Sequence, residues 1–247
     1  MTRAIILAAG MSSRICAVTG GHPKTLLEIG GKSLLRRQLD QLAHHDIADI
    51  HVATGYRAGE IVAVTGNDAT THFYPRYTET NNLGTLEWCS ELLDGECLIL
   101  FADVLVSNHS LRCCIESQDD FSLLIDRSRV LSGTMRVRVL HDHLMDIGSH
   151  IPVDQGDGNF IGIARIGAAS IQQFRECLSR LAADAGFTNA YYTEVFRSLA
   201  GEGVTIPCVD VAGDDWCEID TPEDYHIAVS RAGQWAENST DARESPD

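Results

Sequence analysis

Arg3 to Leu35 reads RAIILAAGMSSRICAVTGGHPKTLLEIGGKSLL, and this stretch restricts the fold more than any other. Ala4 to Leu7 is a short apolar run bounded by small residues, which predicts a buried central strand. The chain then turns on Gly10, where the missing Cβ lets backbone N–H groups come close to an anion, and Ser12 and Ser13 add hydroxyl donors beside them. Arg14 supplies a planar positive fork. Pro23 stiffens the backbone before Lys24, so that a point charge is presented from a constrained position. Cradle, fork and point charge together suit the phosphates of a nucleoside triphosphate. The loop is neither a Walker A loop nor GxGxxG.

LAAGMSSR followed by HPKTLLEIGGKSLL resembles the signature of the nucleotidyltransferases that activate sugar phosphates and small alcohol phosphates: LAAGxGxR, then PK, then a strand and a helix. Ser12 stands where sugar-acting members commonly carry glycine, and the serine form is similar to that of cytidylyltransferases acting on small acceptors. A second stretch, DDWCEIDTPEDYHIA from Asp214 to Ala228, resembles the family's closing WxEIDTPEDL. The resemblance spans about residues 3–232 and is weakest from Phe121 to Gly158. It implies an α/β, Rossmann-like nucleotidyltransferase fold with a mixed, mostly parallel sheet flanked by helices. Residues 1–232 would form a single domain, with a small antiparallel acceptor lobe at about 121–165 and a disordered tail over 233–247.

A chain of 247 residues, 44% hydrophobic, can bury a substantial core. Its formal net charge of −16 argues against a nucleic-acid surface, so local rather than net charge must hold any anionic ligand. The eight cysteines, Cys16, Cys89, Cys97, Cys113, Cys114, Cys177, Cys208 and Cys217, form no CxxC pair and read as reduced, mostly buried thiols. The first apolar stretch is too short for a signal peptide's core and no later run matches a bilayer span, so the expected location is cytoplasmic, with no membrane partner.

Ile50 to Ala53 predicts a strand ending in Thr54, Gly55 and Tyr56, at the carboxyl edge where open α/β sheets place ligands. The resemblance gives this turn to the nucleotide, together with Leu7, Ala8, Ala9, Gly10, Met11, Ser12 and Ser13. Thr78 to Cys89 reads as a polar loop running into a helix capped by Asn82 or Thr85, and its NNLGTL resembles the family segment beside base and ribose. Glu96 to Phe101 is a buried strand that delivers Ala102 and Asp103, and a carboxylate there is costly unless it is solvated or binds a cation. The resemblance makes Asp103 a magnesium ligand. The second acid that many members carry after it is absent, since Val104, Leu105 and Val106 come next, so further ligands must lie elsewhere. Glu218 and Asp220, two apart on one strand, face the same way and suit a shared divalent ion.

Strands are expected at Phe121–Ile125, Thr134–Leu140, Leu144–Ile147, Asn159–Arg165 and Val204–Val209, and helices at Ser33–His44, Ala168–Ala183 and Asn189–Ala200. Arg127 and Arg129 share one strand face, and Arg136 and Arg138 another. Arg129, Arg136, Arg138, Tyr192 and Glu194 are the expected acceptor site, and arginines there favour a small anionic acceptor. The resemblance then implies transfer of CMP from CTP to a small phosphonate or phosphate, phosphonoformate or an alkylphosphonate being candidates, with Lys24 and Arg14 catalytic and pyrophosphate leaving. Phosphocholine or hexose 1-phosphate transfer, or nucleotide binding without turnover, are the alternatives. The candidate assembly is a homodimer.

Overall fold

The computed structural model describes residues 1–11, 15–184 and 186–241, with the backbone alone given for Cys16 and for 233–241. Strand β1 (Arg3–Ala8) leads to the one-turn α1 (Cys16–Thr19), the two-residue strands β2 (Glu28–Ile29) and β3 (Lys32–Ser33), and α2 (Leu34–His44). Next come β4 (Asp49–Thr54), α3 (Ala58–Thr65), β5 (Thr70–Phe73) and α4 (Asn82–Trp88). They are followed by β6 (Cys97–Phe101), β7 (Val104–Val106), α5 (Asn108–Ile115) and β8 (Phe121–Asp126). The chain continues through β9 (Met135–Leu140), β10 (His143–Gly148), β11 (Gly158–Ile166), α6 (Ile171–Ala182) and α7 (Thr193–Gly201). It closes with β12 (Cys208–Asp210), β13 (Trp216–Glu218) and α8 (Pro222–Asp241).

The main sheet has the order β10-β9-β11-β6-β1-β4-β5, with β8 pairing with β11 and β12. The strands β6, β1, β4 and β5 run parallel, so their carboxyl ends share one edge. At β11 the direction reverses, since that strand is antiparallel to β6, β8 and β9.

Strand β1 is apolar from Ala4 to Ala8 because both of its faces are covered. Ala4, Ile6 and Ala8 pack with Leu35, Leu39 and Leu42 of α2, while Ile5 packs on the other side with Leu83 and Leu86 of α4 and Phe174 and Phe196 of α6 and α7. A third cluster joins Ile15, Leu27, Ile29 and Leu34 to Leu105, Cys217, Ile219 and Ala228. It ties the stretch around Lys24 to the closing motif nearly two hundred residues later. Ser33 caps α2, its hydroxyl accepting from the Arg36 N–H at 3.2 Å.

The helix expected from Asn189 begins only at Thr193, and the strand expected from Val204 is confined to Cys208–Asp210. Helix α8 runs to Asp241, past Gly233, where order was expected to stop. A single internal glycine costs only about 1 kcal/mol against alanine, and Ala228 and Ala232 anchor the preceding turn in the core. Residues 242–247 lie outside the described residues. Cys113 is partly exposed beside the buried Cys114 on α5, and burial pushes the Cys114 thiol up to about 12. Among the described residues no helix is long and apolar enough to cross a membrane.

Candidate active site

A cavity of about 270 Å³ opens at the carboxyl edge of β1 and β6. The end of β1 and the turn after it give Leu7, Ala8, Ala9 and Gly10 to its wall, and the end of β6 gives Phe101, Ala102 and Asp103. Both strands stop at this edge because they are parallel neighbours, with Leu7 opposite Phe101. Pro23, Lys24 and Thr25 form another side, and the loop entering α4 adds Tyr77, Thr80, Asn81, Asn82 and Thr85. Tyr191, Glu218 and Asp220 complete it.

Strand β7 explains how the carboxylates meet. Val104 to Val106 does not extend the sheet but pairs antiparallel with β13, Glu218 opposite Val104 and Trp216 opposite Val106. The Ile219 N–H also donates to the Asp103 carbonyl at 3.0 Å. The apolar residues found where a second acid was sought are therefore the ladder that carries Glu218 and Asp220 to Asp103. Glu218 ends the strand and Asp220 lies just beyond it, at the start of α8. There Asp224 accepts from the Asp220 and Thr221 N–H groups at 3.1 and 2.8 Å, as a helix-end carboxylate.

The Lys24 Nζ lies 2.7 Å from Asp103 Oδ2 and 2.5 Å from Asp220 Oδ1, although the residue is only 8% exposed. Burial works against its charge, but Asp103 and Asp220 outweigh burial and hold its pKa above the ordinary lysine value. Ligand oxygens of Asp103, Glu218 and Asp220 all lie within 4.8 Å of one another. Asp103 Oδ1 and Thr25 Oγ1 are buried with no hydrogen-bond partner among the described residues, and both residues line the cavity. An oxygen-only donor set with an orphaned carboxylate oxygen fits a hard divalent cation.

A smaller annex of about 40 Å³ adjoins the cavity, sharing Phe101, Tyr191 and Glu218 with it and adding Met135, Phe160 and Gly162. Gly162 has φ +86°, and a Cβ there would sit 2.7 Å from the Phe101 ring. It lies where the register between β11 and β8 shifts, so the irregularity in β11 makes room for that ring.

Residues 4–111 match the MobA-like NTP transferase domain. Over 92% of this chain and 99% of the other, the sequence is 22% identical to the CTP:phosphoglutamine cytidylyltransferase of Campylobacter jejuni. The family match thus covers residues 4–111, less than half of the chain. The chain is also 25% identical, over 93% of its length, to the CMP-5'-(3-aminopropyl)phosphonate synthase of Streptomyces rubellomurinus, of which it spans 38%. The CTP:phosphocholine cytidylyltransferase of Streptococcus pneumoniae has the same fold, with a TM-score of 0.77 at 20% identity over 93% of this chain and 98% of that one.

The chain gathers in one cavity the expected residues Leu7, Ala8, Ala9, Gly10, Lys24, Asn82, Thr85, Ala102, Asp103, Glu218 and Asp220. Ser12, Ser13 and Arg14 lie outside the described residues. Met11 is exposed and does not line the cavity. The turn after β4 stands behind the cavity rather than in it. Thr54 is buried and donates to the His72 carbonyl at 3.2 Å. At Gly55 a Cβ would come within 2.7 Å of both Tyr77 Cβ and the Ala9 carbonyl oxygen, so glycine lets these two walls close. Tyr56 donates from its hydroxyl to the Gly21 carbonyl at 2.9 Å and from its N–H to Ala9 at 3.2 Å, bracing the loops on either side.

Asn81, not Asn82 or Thr85, caps α4, its side chain accepting from the Asn82 N–H at 2.8 Å. Asn82 is otherwise engaged: its Oδ1 accepts from the Tyr192 N–H at 2.8 Å.

The expected acceptor site is not assembled. Met135 lines the annex, so period-two alternation turns Arg136 and Arg138 to the opposite face of β9. Arg136 is buried there and donates to the carbonyls of Leu131, Ser149 and Ile151, while Arg138 and Arg129 are exposed. Arg127 pairs with Asp142 and Asp210 at 3.0 and 3.1 Å. Glu194 pairs with Arg197 at 3.1 Å. Tyr192 is wholly buried against Phe101, Phe160 and Phe196, and its neighbour Tyr191 lines the cavity in its place. Tyr77, Thr80 and Phe101 carried no local signal of a site. They line it because their elements end at this edge.

Proposed function

We propose that this chain is a nucleotidyltransferase that transfers CMP from CTP to the phosphate or phosphonate oxygen of a small acceptor and releases pyrophosphate. The observation that carries the reading is Lys24, held in the cavity beside the carboxylates of Asp103 and Asp220. The acceptor oxygen attacks the α-phosphorus, and the bond from that phosphorus to the oxygen bridging to the β-phosphate breaks, pyrophosphate taking the electron pair. An anionic oxygen nucleophile needs no general base, so positive charge and orientation are what the site must supply. Lys24 neutralises charge that develops on the phosphates. Arg14 joins it in this role on the strength of the sequence motif. Magnesium, bound by Asp103, Glu218 and Asp220, would act as a Lewis acid at the α-phosphate. The choice of CTP rests on the relatives named above.

The annex supports an acceptor with a short tail that is apolar and cationic at its end. Its walls include Phe101, Met135, Phe160 and Tyr191, and among the described residues its one charged residue is Glu218 and none is an arginine. Aromatic faces and a carboxylate favour an ammonium and disfavour a second carboxylate. An aminoalkyl phosphonate therefore fits better than phosphonoformate. Phosphocholine is the second reading, on the same aromatic rings.

Pyrophosphate release with each of the four ribonucleoside triphosphates, against an aminoalkylphosphonate, phosphocholine, phosphonoformate and glucose 1-phosphate, tests the assignment. Turnover is expected with CTP and an amine-bearing acceptor. Preference for glucose 1-phosphate would overturn the acceptor class, and tight nucleotide binding without pyrophosphate would leave a regulator.

A further inference from the structure

Lys24 and the divalent cation share the same carboxylates. The ammonium nitrogen sits 2.5 and 2.7 Å from carboxylate oxygens of Asp220 and Asp103. Those two residues, with Glu218, are the trio whose ligand oxygens cluster within 4.8 Å. A magnesium ion draws such oxygens to about 2.0–2.1 Å, and an ammonium on the same carboxylates is repelled by its charge. The backbone of Lys24 is held by Pro23, with φ −55°, and by the Leu27 N–H bond to its carbonyl at 3.0 Å. Its four-carbon stem is not so constrained, and Lys24 borders the same cavity as Gly10 at the glycine turn.

We propose that Lys24 is an internal stand-in for the metal: its ammonium neutralises Asp103 and Asp220 until metal and triphosphate arrive together, and then moves to the phosphates. The inference rests on the metal reading above. Metal alone must displace the lysine into a cavity whose described lining carries no acid beyond the three that would hold the metal, so it binds weakly. Metal with a triphosphate gives the displaced ammonium a new anionic partner, so each ligand strengthens the other. The carboxylate cluster is thereby never left uncompensated, whichever cation it holds.

Binding of Mn²⁺, read from the electron paramagnetic resonance of the free ion, tests this on the full chain, with wild type and Lys24→Met each measured alone and with α,β-methylene-CTP. Without nucleotide, Lys24→Met is expected to bind Mn²⁺ roughly tenfold or more tightly than wild type, a small share of what unit charges a few ångströms apart exert on one another. With the analogue that advantage disappears, because in the wild type the lysine has left the carboxylates. Equal affinities without nucleotide overturn the exchange and leave the metal reading standing. The same advantage with and without the analogue also overturns it, as that is the mere loss of a nearby charge. No Mn²⁺ binding by either protein removes both readings.

A second measurement needs no variant. Lys24 and Lys32 are the only lysines in the chain, and Lys32 pairs with Asp40 at 2.6 Å. In protein labelled with ¹⁵N-lysine, magnesium plus the analogue should shift the Lys24 ammonium resonance in proportion to occupancy and leave that of Lys32 in place. A Lys24 resonance unmoved at saturation would overturn the proposal.

Discussion

The side-chain oxygen of Asn82 accepts from the Tyr192 N–H at 2.8 Å, joining the first residue of α4 to the residue after Tyr191. Both Asn82 and Tyr191 line the main cavity, and Tyr191 also lines the annex. The loop before α4 is tied to the same segment by the Asn81 N–H bond to Thr188 at 2.7 Å. The proposed nucleotide and acceptor sides thus share one hydrogen-bonded frame.

Asn82→Leu should raise the KM of the acceptor roughly 5- to 20-fold, the kinetic equivalent of one hydrogen bond of about 1–2 kcal/mol. Asn82→Asp retains an oxygen for the Tyr192 N–H, so it should spare the acceptor KM while raising that of CTP through added negative charge. Steady-state kinetics with each substrate varied distinguishes the two. Identical behaviour of the variants would show that the Asn82–Tyr192 hydrogen bond does not position the acceptor.

Lys24→Ala should lower kcat/KM by about 10²- to 10³-fold, the scale of one preorganised charge at a developing phosphate charge. Far-ultraviolet circular dichroism should remain that of the wild type. Activity should vanish in EDTA and in Asp103→Asn or Asp220→Asn, with Glu218→Gln less severe. Full turnover in EDTA is the outcome that rejects a metal at the carboxylates.

Arg136→Ala should destabilise the protein by about 2–3 kcal/mol, because it strips a buried donor from three backbone carbonyls. Arg138→Ala, at an exposed position, should change stability by less than about 0.5 kcal/mol. Neither should alter the acceptor KM. Urea melts and acceptor titrations of both variants check this, and a raised KM in either would restore the arginine face as a binding surface.

His72 carries a pH dependence of stability. Burial, and then the neighbouring His51 at 2.8 Å, lower its pKa below the ordinary 6.5. The folded state then binds fewer protons than the unfolded one around this pH, so stability rises with pH there. The contribution is fully present above about 6.5 and is lost as pH falls through the depressed folded value. Thermal melts from pH 7.5 to 5 should show a declining midpoint, and His72→Gln should flatten part of that slope. An unchanged slope would assign it to another group, such as His45, whose pKa is lowered in the same direction by burial and by His44 and Arg112.

Where binding needs a particular backbone at a particular strand end, it was legible in the linear order of residues. Ala4 to Leu7 had to be a doubly covered strand, Gly10 had to begin its turn, and Asp103 had to emerge from a buried strand at the sheet edge. These follow from local rules: period, glycine conformation, and the cost of an unsolvated carboxylate. Glu218 and Asp220 were legible as a pair, although the strand that was to carry both ends at Glu218.

Tertiary structure alone decided which side chains turn toward the cavity. The residues Val104 to Val106 gave no sign that they would pair with β13, since strand partners so far apart in sequence are chosen by packing rather than propensity. Tyr191 and Tyr192 are neighbours of the same type, yet one lines the cavity and the other is buried among Phe101, Phe160 and Phe196. Arginines spaced two apart on β9 were correctly placed on one face, but nothing local specifies which face meets the annex. That choice was made by Met135, the apolar residue that the annex wall could accommodate without leaving a charge unsatisfied.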